Sequence, residues 1–60
     1  MMIQDLKVGS KFQMEGLDTN GDIVQCDATL IAYQGMNKYV VENDGITILY
    51  DGEQEITKLY

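Results

Sequence analysis

The fold is decided by residues 39–52, YVVENDGITILYDG, in which two apolar runs are each followed by an Asp-Gly pair. These pairs are Asp44-Gly45 and Asp51-Gly52, and Asn20-Gly21 lies at a third point where one apolar run stops and another starts. Such dipeptides tolerate the positive φ angles that the tight turns of β-hairpins require. Together they divide the chain into short strands and leave almost no room for a helix, which predicts an all-β fold.

Apolar and polar residues alternate on either side of these turns, which is typical of half-buried strands. The sequence predicts five strands, at Lys11–Glu15, Ile23–Tyr33, Tyr39–Glu42, Ile46–Tyr50 and Ile56–Tyr60. Residues 2–7 are predicted to form a lead strand or one loose turn, and residues 53–55 a connection or a single helical turn.

The second predicted strand is the longest and is expected to form the centre of the fold. It exceeds the usual five or six residues, so it is expected to bend sharply and to serve two sheets. One of its faces is entirely apolar and is predicted to be buried; it consists of Val24, Cys26, Ala28, Leu30 and Ala32.

The order of these parts resembles that of the SH3-like small barrels, including the Tudor and KOW-type domains. The stretches that carry the resemblance are residues 8–12, 28–33, 39–41, 46–50 and 51–56 with Leu59. The resemblance implies a small five-stranded antiparallel barrel with at most one short helical turn, formed by residues 1–60 as a single domain. Closure would remove the exposed edges of an open sheet.

The charge balance excludes several classes of function. Ten acidic residues face four lysines, which gives a net charge of −6, and arginine and histidine are absent. Without arginine or a basic stripe, direct binding to DNA or RNA is not expected. No stretch approaches the roughly 20 apolar residues that span a bilayer. A single cysteine and no export segment after Met1 predict a cytoplasmic protein.

Catalytic and metal sites are not predicted. Without histidine the chain has no ready proton shuttle near neutral pH, and Cys26 on an apolar strand face is expected to be an inert thiol. Residues 18–22, DTNGD, match the first five positions of a calcium loop, but Ile23 replaces its glycine and Thr29 its closing glutamate. We therefore interpret this stretch as a turn and expect no enzyme activity, metal or cofactor.

The first functional hypothesis is a small protein-interaction module that modulates a larger, basic protein through an acidic surface bearing tyrosines. In type the chain resembles accessory proteins of phages or mobile elements that bind a host factor. The residues predicted to contact the partner are Tyr33, Tyr39, Glu42, Asp44, Leu49, Asp51, Glu53 and Glu55.

Two alternatives remain open at this point. Between Tyr39 and Thr57 there are five acids and no lysine, and carboxylates spaced like phosphates would make the protein a nucleic-acid mimic that inhibits a DNA-binding enzyme. Alternatively, Ile31, Tyr33 and Leu49 could form an apolar patch that a homodimer covers. Salt dependence separates mimicry from an apolar interface, because screening weakens only the former steeply.

Overall fold

The computed structural model describes residues 1–60 and shows one antiparallel sheet of five strands. The strands are β1 (Lys11–Leu17), β2 (Ile23–Gly35), β3 (Lys38–Asn43), β4 (Ile46–Asp51) and β5 (Lys58–Leu59), in the sheet order β4-β3-β2-β1-β5. The only helix is a 3-10 turn at Ile3–Asp5. The predicted all-β class, the five strands and the single short helical turn are confirmed.

The sheet is not closed into a barrel, which corrects the closure that the sequence predicted. β4 and β5 lie at opposite edges and do not pair with each other. The chain between them is occupied elsewhere, because Gly52 and Gln54 accept backbone hydrogen bonds from Gln4 and Ile3, each at 2.9 Å. The N-terminal turn therefore lies beside residues 52–54. Strand β5 consists of only two residues, both paired with β1.

The core lies on one face of the sheet, which we call the inner face. Cross-strand partners share a face, and the register places Phe12 beside Ala28 and Leu30 beside Val41. The N-terminal turn and the segment before β5 cover them. The buried apolar residues are Ile3, Phe12, Met14, Ala28, Leu30, Val41 and Ile56, and Leu6, Tyr39 and Tyr50 pack against them.

Two irregularities decide which side chains of β2 reach this core. Leu30 pairs with Val41, but Ala32 pairs with the adjacent Val40, so a bulge at Ile31 places Leu30 and Ala32 on opposite faces. The prediction that Ala32 continues the buried face is therefore wrong. For the same reason Tyr33, which pairs with Tyr39, lies on the inner face, whereas Ala32 lies on the other, outer face.

The N-terminal half of β2 is less buried than predicted. β3 pairs with β2 only from Thr29 onward, and β5 pairs with β1 only at residues 12–13. Residues 15–25 therefore form a two-stranded ribbon, the β1–β2 ribbon, that has no third strand. As a result Cys26 is only half-buried, and Val24, predicted to be in the core, is exposed.

The predicted turns at Asn20-Gly21 and Asp44-Gly45 are confirmed. Gly21 has φ +84°, and Asp44 and Gly45 have φ +52° and +80°, the double positive φ of a two-residue hairpin turn. At Asp51-Gly52 the chain also turns, but Gly52 does not adopt positive φ. The turn between β2 and β3 lies within residues 34–38, where the sequence predicts a loop, and its corner residues Met36 and Asn37 have φ +54° and +59°.

Met36 is poorly suited to this corner, and Met36→Asn is expected to stabilise the fold by about 1 kcal/mol. The Met36 side chain is 93% exposed, so its removal loses no packing, whereas asparagine tolerates the left-handed backbone better. The measurement is the free energy of unfolding in urea. Met36→Ala serves as the control, because alanine removes the same exposed side chain but keeps the backbone strain. An equal gain from both variants would contradict this explanation.

Candidate partner-binding surface

The outermost strand β4 exposes apolar side chains on both faces of the sheet. Ile46 and Ile48 lie on the inner face but are 63% and 43% exposed and are not part of the buried core. On the outer face Leu49 lies in a row with Val40 and Ala32 and is 52% exposed.

Half of the residues predicted to contact a partner lie on or beside this strand. Leu49 and Asp51 both lie on the outer face of β4, and Glu42 of β3 lies opposite Thr47 on the same face. Asp44 occupies the exposed turn between the two strands. We call this set, Glu42, Asp44, Leu49 and Asp51, the β4 surface.

The two predicted tyrosines lie on the other side of the sheet. Tyr33 and Tyr39 are cross-strand neighbours on the inner face, with ring centroids 4.9 Å apart and a tilt of 53°. Tyr39 is half-buried and packs against the core, whereas Tyr33 is 55% exposed and accepts a hydrogen bond from the Asn37 backbone N–H at 3.2 Å. Only Tyr33 is therefore available as a surface anchor.

The remaining predicted acids, Glu53 and Glu55, lie beside the N-terminal segment rather than with the β4 surface. Glu55 forms a β-bridge with Met2 and lies 3.4 Å from the terminal ammonium of Met1. The structure thus distributes the acids of residues 39–57 over two places instead of one continuous patch.

Few of the acidic side chains are neutralised by a neighbour. The molecule contains two ion pairs, one between Lys38 and Asp51 and one between Glu55 and the N-terminus. All other acidic side chains lack a cationic group within 4.0 Å. Glu42 and Asp44 therefore form no ion pair within the molecule.

A groove of about 360 Å³ joins Glu42 and Asp44 to residues that the sequence pattern did not single out. It is lined by Lys11, Asp27, Ala28, Thr29, Glu42, Asp44 and Tyr60. Asp27 and Tyr60 are 33 positions apart and meet only through the β1–β2 and β1–β5 registers. No periodicity or motif in the sequence signals such a pair.

Hydrogen bonds fix Asp27 within this groove. The Tyr60 hydroxyl donates to Asp27 Oδ1 at 2.6 Å, and Asn43 Nδ2 donates to the Asp27 backbone carbonyl at 2.6 Å. The hydrogen bond to the carboxylate raises the pKa of the Tyr60 phenol above its usual value, because it favours the protonated form. Desolvation and the negative charge of Asp27 act in the same direction.

The tip of the β1–β2 ribbon is a second exposed apolar feature that the sequence did not predict. Leu17 and Ile23 are cross-strand partners and are 72% and 68% exposed. The turn beyond them is held by Asp18, whose Oδ1 accepts the backbone N–H of Asn20 at 2.8 Å and of Asp22 at 2.9 Å. This carboxylate oxygen therefore stabilises the turn at residues 18–22, the stretch in which the calcium-loop pattern is incomplete.

Comparisons with known proteins identify no relative. No protein-family model, curated protein or solved structure matches the chain. The structure contains no group of three or more acidic or cysteine side chains arranged to hold a metal ion. Its single helix, the turn at Ile3–Asp5, is far too short to cross a membrane.

Proposed function

We propose that this protein is a non-catalytic binding module that contacts a larger, basic protein through β4. The observation that carries the proposal is that β4 exposes apolar side chains next to two acids, Glu42 and Asp44, that form no ion pair. Exposed apolar groups rimmed by polar residues are typical of protein-binding surfaces, and Leu49 shares the outer face with Glu42 and Asp51.

Electrostatics favours a basic partner. The net charge is −6, and Glu42 and Asp44 form no ion pair within the molecule. Complementary charge accelerates association and excludes wrong partners more than it adds affinity. We therefore assign most of the binding free energy to the apolar contact at Leu49 and the selection of the partner to the acids.

The test is capture of a partner on the immobilised protein at low and high salt. The free thiol of Cys26 suits a reducing compartment, so cytoplasmic extract is the source. Leu49→Ser is expected to weaken retention of the captured basic protein about tenfold, since a buried interface leucine contributes on this scale. Leu17→Ser is the matched control, because Leu17 is also an exposed leucine but lies on the β1–β2 ribbon.

Two results would contradict the proposal. Equal loss in Leu17→Ser and Leu49→Ser would place the interface elsewhere. Displacement of the captured protein by duplex DNA, with steep loss of binding at high salt, would instead identify a nucleic-acid mimic.

A further inference from the structure

The two edges of the sheet are protected to different degrees against pairing with another strand. β5 has only two residues and carries Lys58, and short strands and lysines are two of the ways in which proteins block an edge. β4 pairs with β3 over six residue pairs without a bulge and contains neither proline nor lysine. The β4 edge therefore lacks the usual protection.

The hydrogen-bonding groups at this edge can be assigned from the turn. In a two-residue hairpin the flanking residues Asn43 and Ile46 exchange backbone hydrogen bonds, and bonded pairs then alternate along the ladder. Ile46, Ile48 and Tyr50 therefore bond to β3, while the N–H and C=O groups of Thr47 and Leu49 point away from the sheet. No backbone hydrogen bond outside the strands uses Thr47 or Leu49.

We propose that β4 accepts an extended segment of the partner as a sixth strand, through the free backbone groups of Thr47 and Leu49. This inference rests on the proposed function and specifies how the partner binds. The added strand would cover Ile48 on the inner face and Leu49 on the outer face, both of which the protein leaves exposed. Addition of a strand to a sheet edge is an established mode of peptide recognition.

Charge complementarity defines the chemistry of that segment. Between Asp44 and Asp51 the strand carries no charge, so the middle of the segment is apolar or neutral. Asp44 at one end forms no ion pair, whereas Asp51 at the other end is paired with Lys38. The segment therefore carries basic residues above all at the end that passes Asp44.

The same charges disfavour a second copy of this chain as the occupant. In antiparallel pairing of two β4 strands about Ile48, Asp51 of one copy lies opposite Gly45 of the other and one position from its Asp44, at both ends of the added pair. Like charges this close to each other repel and disfavour the pairing. Lys38 offsets only Asp51.

The test uses the synthetic peptide KKVTVTVKK as the probe and measures its binding to the full chain by NMR titration and amide exchange. We expect the amides of Thr47 and Leu49 to become protected from exchange, and the acidic peptide EEVTVTVEE not to bind. Thr47→Pro removes an outward N–H without breaking a bond to β3, and is expected to weaken binding at least tenfold. Thr47→Ala retains the N–H and is expected to bind as the wild type does.

A second pair of variants is independent of how well the proline is tolerated. Asp44→Asn retains a residue that accepts positive φ, and is expected to weaken peptide binding about two- to fivefold at low salt and less at high salt. Glu15→Gln makes the same change of net charge on the β1–β2 ribbon and is expected to have no effect.

Three results would overturn strand addition. They are wild-type protein that does not bind the basic peptide at millimolar concentration, equal binding by Thr47→Pro, and a dimer without peptide that Thr47→Pro dissociates. If any of these occurs while partner capture still depends on Leu49, the mode of binding is wrong and the proposed function stands. If capture does not depend on Leu49, the proposed function fails by its own test.

Discussion

Phe12→Ala is expected to leave most of the chain unfolded at 25 °C. The Phe12 ring is completely buried and is the largest fully buried side chain. Removing a buried phenylalanine costs about 3–5 kcal/mol, through lost burial and the cavity that remains. A domain of this length has a total free energy of unfolding of about 3–9 kcal/mol, so the loss caused by Phe12→Ala is comparable to the total stability.

The position of Phe12 explains why its cross-strand partners cannot fill the cavity. Its cross-strand partner on β2 is Ala28, whose methyl group is too small to move into the vacated space, and on β5 it is Leu59, which is 45% exposed. Phe12→Leu is the matched control and is expected to cost only about 1 kcal/mol. Circular dichroism and urea unfolding measure both, and a cooperative unfolding transition for Phe12→Ala near that of the wild type would contradict the prediction.

The sequence predicted the elements of this fold better than their arrangement. Strand positions follow from alternation and from turn dipeptides such as Asp44-Gly45, which are local signals. Closure into a barrel depended on whether residues 52–57 would pair across the gap, and they bond to Ile3 and Gln4 instead. The pairing of residues 52–57 depends on segments that are distant in the sequence, and no local sequence pattern indicates it.

The arrangement of the candidate site was likewise only partly predictable from local sequence patterns. Ile31 and Tyr33 share a face in a regular strand, but the bulge at Ile31 moves Tyr33 to the inner face beside Tyr39. One extra residue in β2 therefore separated Tyr33 from Leu49 and Glu42. Asp44 was predicted at its actual place, because its position depends on its own hairpin turn and not on distant segments of the chain.

Gly52→Ala is expected to destabilise the fold by about 1–3 kcal/mol, the usual cost of overpacking. A Cβ atom at this buried position would lie 2.8 Å from Asn37 Cγ, 2.9 Å from Tyr39 Cε1 and closer still to Asn37 Oδ1. The backbone cannot retreat, because the Gly52 N–H donates to the Asn37 carbonyl at 2.8 Å and its carbonyl accepts from Gln4 at 2.9 Å. The glycine is thus required for close approach.

A second substitution tests that explanation. Asn37→Gly removes the amide side chain and suits a residue with φ +59°, so Gly52→Ala should cost about 1 kcal/mol less in that background. Part of the penalty should remain, because the Tyr39 ring still lies in the way. Urea unfolding of the four proteins in this double-mutant cycle gives the coupling free energy. The same penalty in both backgrounds would show that Asn37 is not the obstacle, and that Tyr39 alone excludes a side chain at position 52.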